Sequence, residues 1–88
     1  MRRIRGRIIG RDGKTRRIIE ELTETYISVY GHTVGIIGDF EKVQIAREAI
    51  DMLIKGAMHG TVYRYLHRKR REIKKQMLDL WEKPESNL

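Results

Sequence analysis

Eighty-eight residues, set against about 150 for a typical domain, make one domain with too small a core to enclose a substrate on all sides, which excludes a large enzyme. Nineteen Lys and Arg against twelve Asp and Glu leave a formal charge of +7 and a pI near 10.1, so a polyanionic partner is the first expectation. Leu, Ile, Val and Phe supply 23 of the 88 residues, above the ~20 % below which highly charged chains stay disordered, and the chain is expected to fold. Without cysteine there is neither a disulfide framework nor Cys-ligated zinc, and the composition fits a cytoplasmic protein. No apolar run nears the ~20 residues that cross a bilayer, so no membrane association is expected. Basic residues also interrupt the apolar positions a signal peptide would need.

In chain order, a helix-like segment from Arg3 to Ile9 is stopped by Gly10, and Gly10-Arg11-Asp12-Gly13 reads as a tight turn. Lys14 to Thr23 follows as a second helix with Ile18, Ile19 and Leu22 on its buried side. Tyr26 to Tyr30 and Val34 to Ile37 are dense in β-branched and aromatic residues, and the short link containing Gly31 and His32 makes them a hairpin. Asp39 is a good N-cap for an amphipathic helix from Phe40 to Lys55, whose Val43, Ala46, Ile50, Leu53 and Ala57 recur at spacings of three and four, with Gly56 as its stop. A last helix runs from about Thr61 to Trp81, its apolar stripe formed by Val62, Leu66, Ile73, Met77 and Leu80. The tail from Lys83 reads as frayed. The expected domain is thus residues 1–56, with a basic helix over 57–82 and a flexible end over 83–88.

Charge is unevenly spread along this outline. Residues 1–17 hold eight basic side chains against Asp12 alone, residues 18–60 have a net charge of −4, and residues 61–88 a net charge of +4. The middle is a solvated scaffold and both ends are candidates for phosphate contact. Gly10 and Gly13 bracket two polar residues between helices, where a Cβ would forbid the backbone angles and block close approach of a ligand. The free N–H groups that open the next helix form an anion seat. Glycines that merely join two helices would not account for Arg7, Arg11, Lys14, Arg16 and Arg17 crowding around them. A Walker A motif needs Gly where Ile8 stands, and so does the dinucleotide fingerprint, so both are rejected.

The run Ile8-Ile9-Gly10-Arg11-Asp12-Gly13, with Ile19, Thr23, Ile27 and Val29 and then Val34, Ile36, Gly38, Val43, Ala46 and Ile50, resembles a type I K-homology (KH) domain over about Arg3 to Ile54. More narrowly, Arg7 to Thr15 with Val34 to Gly38 and the helix after Gly56 is similar to the second KH domain of the archaeal partner-of-Nob-one (Dim-two) family. The resemblance implies an α+β fold, helix-GxxG-helix-strand-strand-helix with an added C-terminal helix, and a role in small-subunit ribosome assembly. It also implies binding of single-stranded RNA, the 3′ region of small-subunit rRNA, without catalysis and without a cofactor. Its site would comprise Ile9, Gly10, Arg11, Asp12, Gly13, Lys14, Arg16, Arg17, Ile19, Ile27 and Val29. The glycines would admit the RNA backbone, the cations would hold phosphates, and the isoleucines and Val29 would lie against bases. Arg16 stands where KH domains carry an apolar groove residue, which adds phosphate contact. An assembly endonuclease and an initiation factor α subunit are the protein partners the family suggests. With nine residues ahead of Gly10, the first strand of the fold has no room; it would lie beside Val34 to Ile37, whose open edge could pair with a second copy.

For Ile27 and Val29 a core role and a groove role stand side by side, while Ile50 and Leu53 read as core. His32, His59 and His67 stand far apart without ligands at metal spacing, so no metal is expected, and no catalytic arrangement is found. Arg68, Lys69, Arg70 and Arg71, which follow His67, are a secondary basic patch: a solvated helix face, an RNA backbone contact, or a dock for an acidic partner. Trp81 and Leu80 could clasp the helix to the domain or to another protein. An adaptor that docks an assembly or initiation factor through the last helix and the open strand edge is the alternative to RNA binding.

Overall fold

A computed structural model describes residues 2–81, which run in order as α1 (Arg2–Ile9), a 3-10 turn (Arg11–Gly13), α2 (Lys14–Thr23), β1 (Tyr26–Tyr30), β2 (Thr33–Ile37), α3 (Phe40–Ile54) and α4 (His59–Trp81). The expected α+β order is observed, with boundaries within two residues of those read from the sequence. Expectations for the tail and for the Trp81 side chain lie outside the described residues.

β1 and β2 pair antiparallel, with Tyr26 opposite Ile37, Ser28 opposite Gly35 and Tyr30 opposite Thr33. Alternation along both strands turns Ile27, Val29, Val34 and Ile36 toward the helices and leaves the outer face to Tyr26, Tyr30 and Ile37. Among the described residues the sheet has two strands, so the far edge of β2 has no backbone partner. Beside that edge lies a cleft bordered by Val34 and Ile36 on one side and Ile50 and Ile54 of α3 on the other.

The buried core is drawn from every helix and strand but β2: Ile8 of α1, Ile19 of α2, Ile27 of β1, Ala46, Ala49, Ile50 and Leu53 of α3, and Val62 and Leu66 of α4, with Val34 and Ile36 of β2 packed against it half-buried. Two buried alanines let α3 approach its neighbours closely. Polar groups within the core are paired: the Thr23 hydroxyl donates to the Ile19 carbonyl at 2.6 Å and lies 2.7 Å from the Thr25 hydroxyl, while Ile27 N–H donates to the Glu20 carboxylate at 2.7 Å.

Two sequence expectations need correction. Asp39 occupies the N-cap position of α3 and its carbonyl accepts from Val43 N–H at 2.8 Å, yet its side chain caps nothing; the carboxylate stands 4.0 Å from Lys42 Nζ instead. The stripe on α4 is not buried along its length. Val62 and Leu66 are in the core and Ile73 is half-buried, but Met77 is 56 % and Leu80 78 % exposed. A helix of 23 residues is about 35 Å long at ~1.5 Å per residue, and past Ile73, through Leu80, its side chains are exposed.

Candidate nucleic-acid interface

α1 ends where Gly10 takes φ +77°, and the turn then carries Asp12 at φ +55° and Gly13 at φ +74° before α2 begins. The two glycines are required for different reasons. A Cβ on Gly10 would sit 2.7 Å from Thr15 Cβ and 2.8 Å from the Thr15 backbone nitrogen, so both sterics and backbone angle exclude it. Around Gly13 there is room, the nearest atom being Arg16 Nη2 at 3.9 Å, and only the left-handed angle asks for glycine. Aspartate tolerates this region better than most residues, which suits Asp12.

The loop is anchored from outside by residues distant in sequence. Arg7, in the last turn of α1, donates through Nε to the Leu53 carbonyl at 3.2 Å and through Nη2 to the Ala57 carbonyl, tying α1 to the α3–α4 connection. His59 Nε2 donates to the Arg7 carbonyl at 3.1 Å, one of the orphan acceptors at the end of α1. One turn along α4, the Tyr63 hydroxyl donates to Thr15 Oγ1 at 3.3 Å on the α2 side of the loop. The first turn of α4 thus braces both ends of the glycine turn. Thr15, His59 and Tyr63 are absent from the site read from the sequence. His59 and Tyr63 stand four residues apart on α4, beside the Val62 and Leu66 stripe, and that is the sequence signal that could have placed them near α1 and α2.

The cations expected at the site are there. Arg11, Lys14 and Arg17 are exposed, and no ion-pair partner holds them or Arg16 among the described residues. Arg16 is half-buried, with Nε out of solvent and unpaired while its guanidinium lies toward Gly13, so its stem takes the place of an apolar residue. α2 carries its charge against its own dipole: Lys14, Arg16 and Arg17 sit at the positive N-terminal end, and Glu20, Glu21 and Glu24 toward the negative C-terminal end. This costs stability in the free protein, and an anion at the loop relieves it.

The apolar residues expected at the site differ in burial. Ile19 is 0 % and Ile27 4 % exposed, and both join the core cluster, the core side of the dual role read for Ile27. Ile9 and Val29 are half-buried and remain available at a groove wall. The secondary patch is not continuous with the loop. Arg70 shares a cleft of about 240 Å³ with Glu24 and Lys42, at the opposite end of α2 from Lys14. Arg68 and Lys69 lie over the Tyr65 ring at 5.7 and 5.9 Å and within 3.9 and 3.4 Å of Glu72, the pattern of a solvated helix face.

Comparison with known proteins agrees with this geometry. Residues 1–71 match the model of a eukaryotic-type (type I) KH domain, in the form found as the second KH domain of PNO1. A KH domain-containing protein of Methanocaldococcus jannaschii is 52 % identical over 83 residues, covering 94 % of this chain and 37 % of its own. The pre-rRNA-processing protein PNO1 of Chaetomium thermophilum is 45 % identical over 76 residues, 86 % of this chain and 28 % of the relative. Among crystal structures, a protein of unknown function from Aeropyrum pernix superposes with a TM-score of 0.87 at 53 % identity, over 93 % of this chain and 44 % of that one. A chain of the a/eIF2alpha–aDim2p–rRNA complex of Pyrococcus horikoshii does so with a TM-score of 0.80 at 54 % identity, over 81 % of this chain and 40 % of its own. The chain therefore spans less than half the length of these relatives. A strained glycine turn between two helices, a helical cover on a small antiparallel sheet and these matches together show that the chain belongs to the type I KH domains, as a member of the PNO1/Dim2 family.

Proposed function

We propose that the chain binds single-stranded RNA through the Gly10–Gly13 turn, and that its RNA is small-subunit rRNA during ribosome assembly, with no catalytic step. One observation carries the reading: a turn held in left-handed geometry opens the N-terminus of α2 onto Arg11, Lys14, Arg16 and Arg17, which have no ion-pair partner among the described residues. Backbone N–H groups and the glycines seat a phosphate, and the cations hold its neighbours. Relatives named for pre-rRNA processing and for an rRNA complex support rRNA as the ligand.

Binding of labelled single-stranded RNA over a salt series tests this. With four to six phosphates neutralised, log K against log[salt] is expected to fall with a slope of roughly −3 to −4, at ~0.7 per phosphate. Lys14→Ala makes the slope shallower by somewhat under one, and Arg11→Glu weakens binding without unfolding an exposed turn. A flat salt response, or unchanged affinity in both variants, rejects the reading.

The adaptor reading also has an observation behind it, the exposed Met77, Leu78 and Leu80 on the distal half of α4. A protein partner there, such as an initiation factor α subunit, leaves RNA at the loop untouched. Neutralising Arg68, Lys69, Arg70 and Arg71 separately from the loop then reduces protein capture and leaves RNA affinity intact.

A further inference from the structure

Gly35 stands in the middle of β2, where glycine weakens a strand. Its pairing with Ser28 belongs to an unbroken register that runs from Tyr26 opposite Ile37 to Tyr30 opposite Thr33, so it marks no bulge. Its φ lies outside the left-handed region and a Cβ there would meet nothing within 4 Å, so neither backbone angle nor packing within the chain asks for glycine. Gly35 lies on the outer face of the hairpin, away from the helices, and its partner Ser28 is small as well. The middle of that face is therefore low, while Tyr26, 76 % exposed, and Tyr30, 83 % exposed, stand at its two ends. Ile37, paired with Tyr26, and Phe40, three residues on, are exposed too. A mid-strand glycine that the fold does not need marks a place where another backbone comes close.

Charge decides what that backbone carries. From residue 18 to residue 41 the chain has Glu20, Glu21, Glu24, Asp39 and Glu41 but neither Lys nor Arg, in a protein of net charge +7. Glu20 is taken up by Ile27 N–H and Glu24 by Lys42. Glu21 and Glu41 are exposed and have no ion-pair partner among the described residues. Glu20, Glu21 and Glu24 line a cleft of about 380 Å³ that Tyr26 borders. Such a surface repels phosphate, whereas arginine suits both of its parts, since a guanidinium stacks on a tyrosine ring and pairs with a carboxylate. We propose that the outer face of the hairpin docks an extended, arginine-rich segment of another protein, its backbone over Ser28 and Gly35 and its guanidinium groups on Tyr26 and Tyr30. The two tyrosines lie four residues apart on one strand, about 13 Å at ~3.3 Å per residue, so arginines spaced by four in an extended segment meet both rings. The inference does not depend on the RNA reading, because the glycine turn and its cations lie at the opposite end of α2 from these carboxylates.

The probe is a labelled peptide of about nine residues with arginine at every fourth position in a Ser and Thr background, beside a counterpart with glutamine for arginine. Fluorescence anisotropy with the whole chain is expected to show saturable binding of the arginine peptide and none of the other. Gly35→Val fills the low middle of the face and favours the strand, so it is expected to raise the melting temperature by a few degrees while weakening the peptide about tenfold. Tyr26→Ser and Tyr30→Ser are each expected to weaken it about threefold. All three variants are expected to bind single-stranded RNA within about twofold of wild type, since none touches the glycine turn. Full affinity of the peptide for Gly35→Val, or for both tyrosine variants, overturns the proposal, because the carboxylates alone would then hold the peptide. A loss of RNA affinity as large as the loss of peptide affinity makes the face a nucleic-acid platform and overturns it as well. So does self-association that Gly35→Val abolishes in sedimentation, which would make a second copy the occupant.

Discussion

At Gly10 a left-handed backbone angle coincides with a Thr15 that leaves no space for a Cβ, whereas Gly13 faces only the angle. Denaturant unfolding of Gly13→Ala is expected to show a loss of about 1 to 2 kcal/mol, the usual penalty for an L-residue in this region. Gly10→Ala is expected to lose distinctly more, because Thr15 is buried and cannot yield. Equal losses would mean that Thr15 moves aside. The glycine spacing and the cations around it were legible in the sequence, because both are local. Ile19 and Ile27 were not, because periodicity separates inward from outward positions and does not separate a groove wall from the core. The braces by His59 and Tyr63 join residues 52 and 48 positions apart, which no local pattern encodes.

At the level of elements, β1 and α3 were readable nearly to the residue. β-branched and aromatic density marks the one, and spacing with a glycine stop marks the other, where Gly56 at φ +98° and the Ala57 N–H to Met52 carbonyl bond close the helix. α4 shows where that reading runs out: a stripe specifies which face is apolar and not how far a neighbour extends to cover it. Val62→Ala and Leu66→Ala are therefore expected to destabilise by about 1 to 4 kcal/mol, while Leu80→Ala changes unfolding by less than about 0.5 kcal/mol. A comparable loss at Leu80 would show that the distal half is packed. The end of α2 and the start of α3 are joined by Lys42 Nζ, 2.6 Å from the Glu24 carboxylate. This hydrogen bond, and then the Lys42 charge, hold the Glu24 carboxyl below its ordinary 4.5. A carboxylate depressed on folding contributes stability above its unfolded value and loses it as pH falls through the folded one. Unfolding midpoints measured downward from about pH 5 should therefore decline less steeply in Lys42→Ala than in wild type; the effect is small because the pair is exposed.

For the whole molecule, the edge of β2, which has no backbone partner among the described residues, predicts association. A lone two-stranded sheet is marginal in water, and an edge with Ile36 and Ile37 invites a further strand. Sedimentation is expected to show self-association that rises with concentration and is lost when Ile37 is changed to Lys. A monomer at every concentration would show that the helices alone hold the hairpin. A different consequence follows from the way α2 sets its charges against its dipole in a protein of net charge +7. Mobile ions screen that internal repulsion, so added salt should raise the melting temperature of the free protein while it loosens the grip on RNA. One set of side chains thereby gives ionic strength two opposite signs, and the RNA-bound form, whose phosphates already supply the counter-charge, should melt with little or no gain from salt.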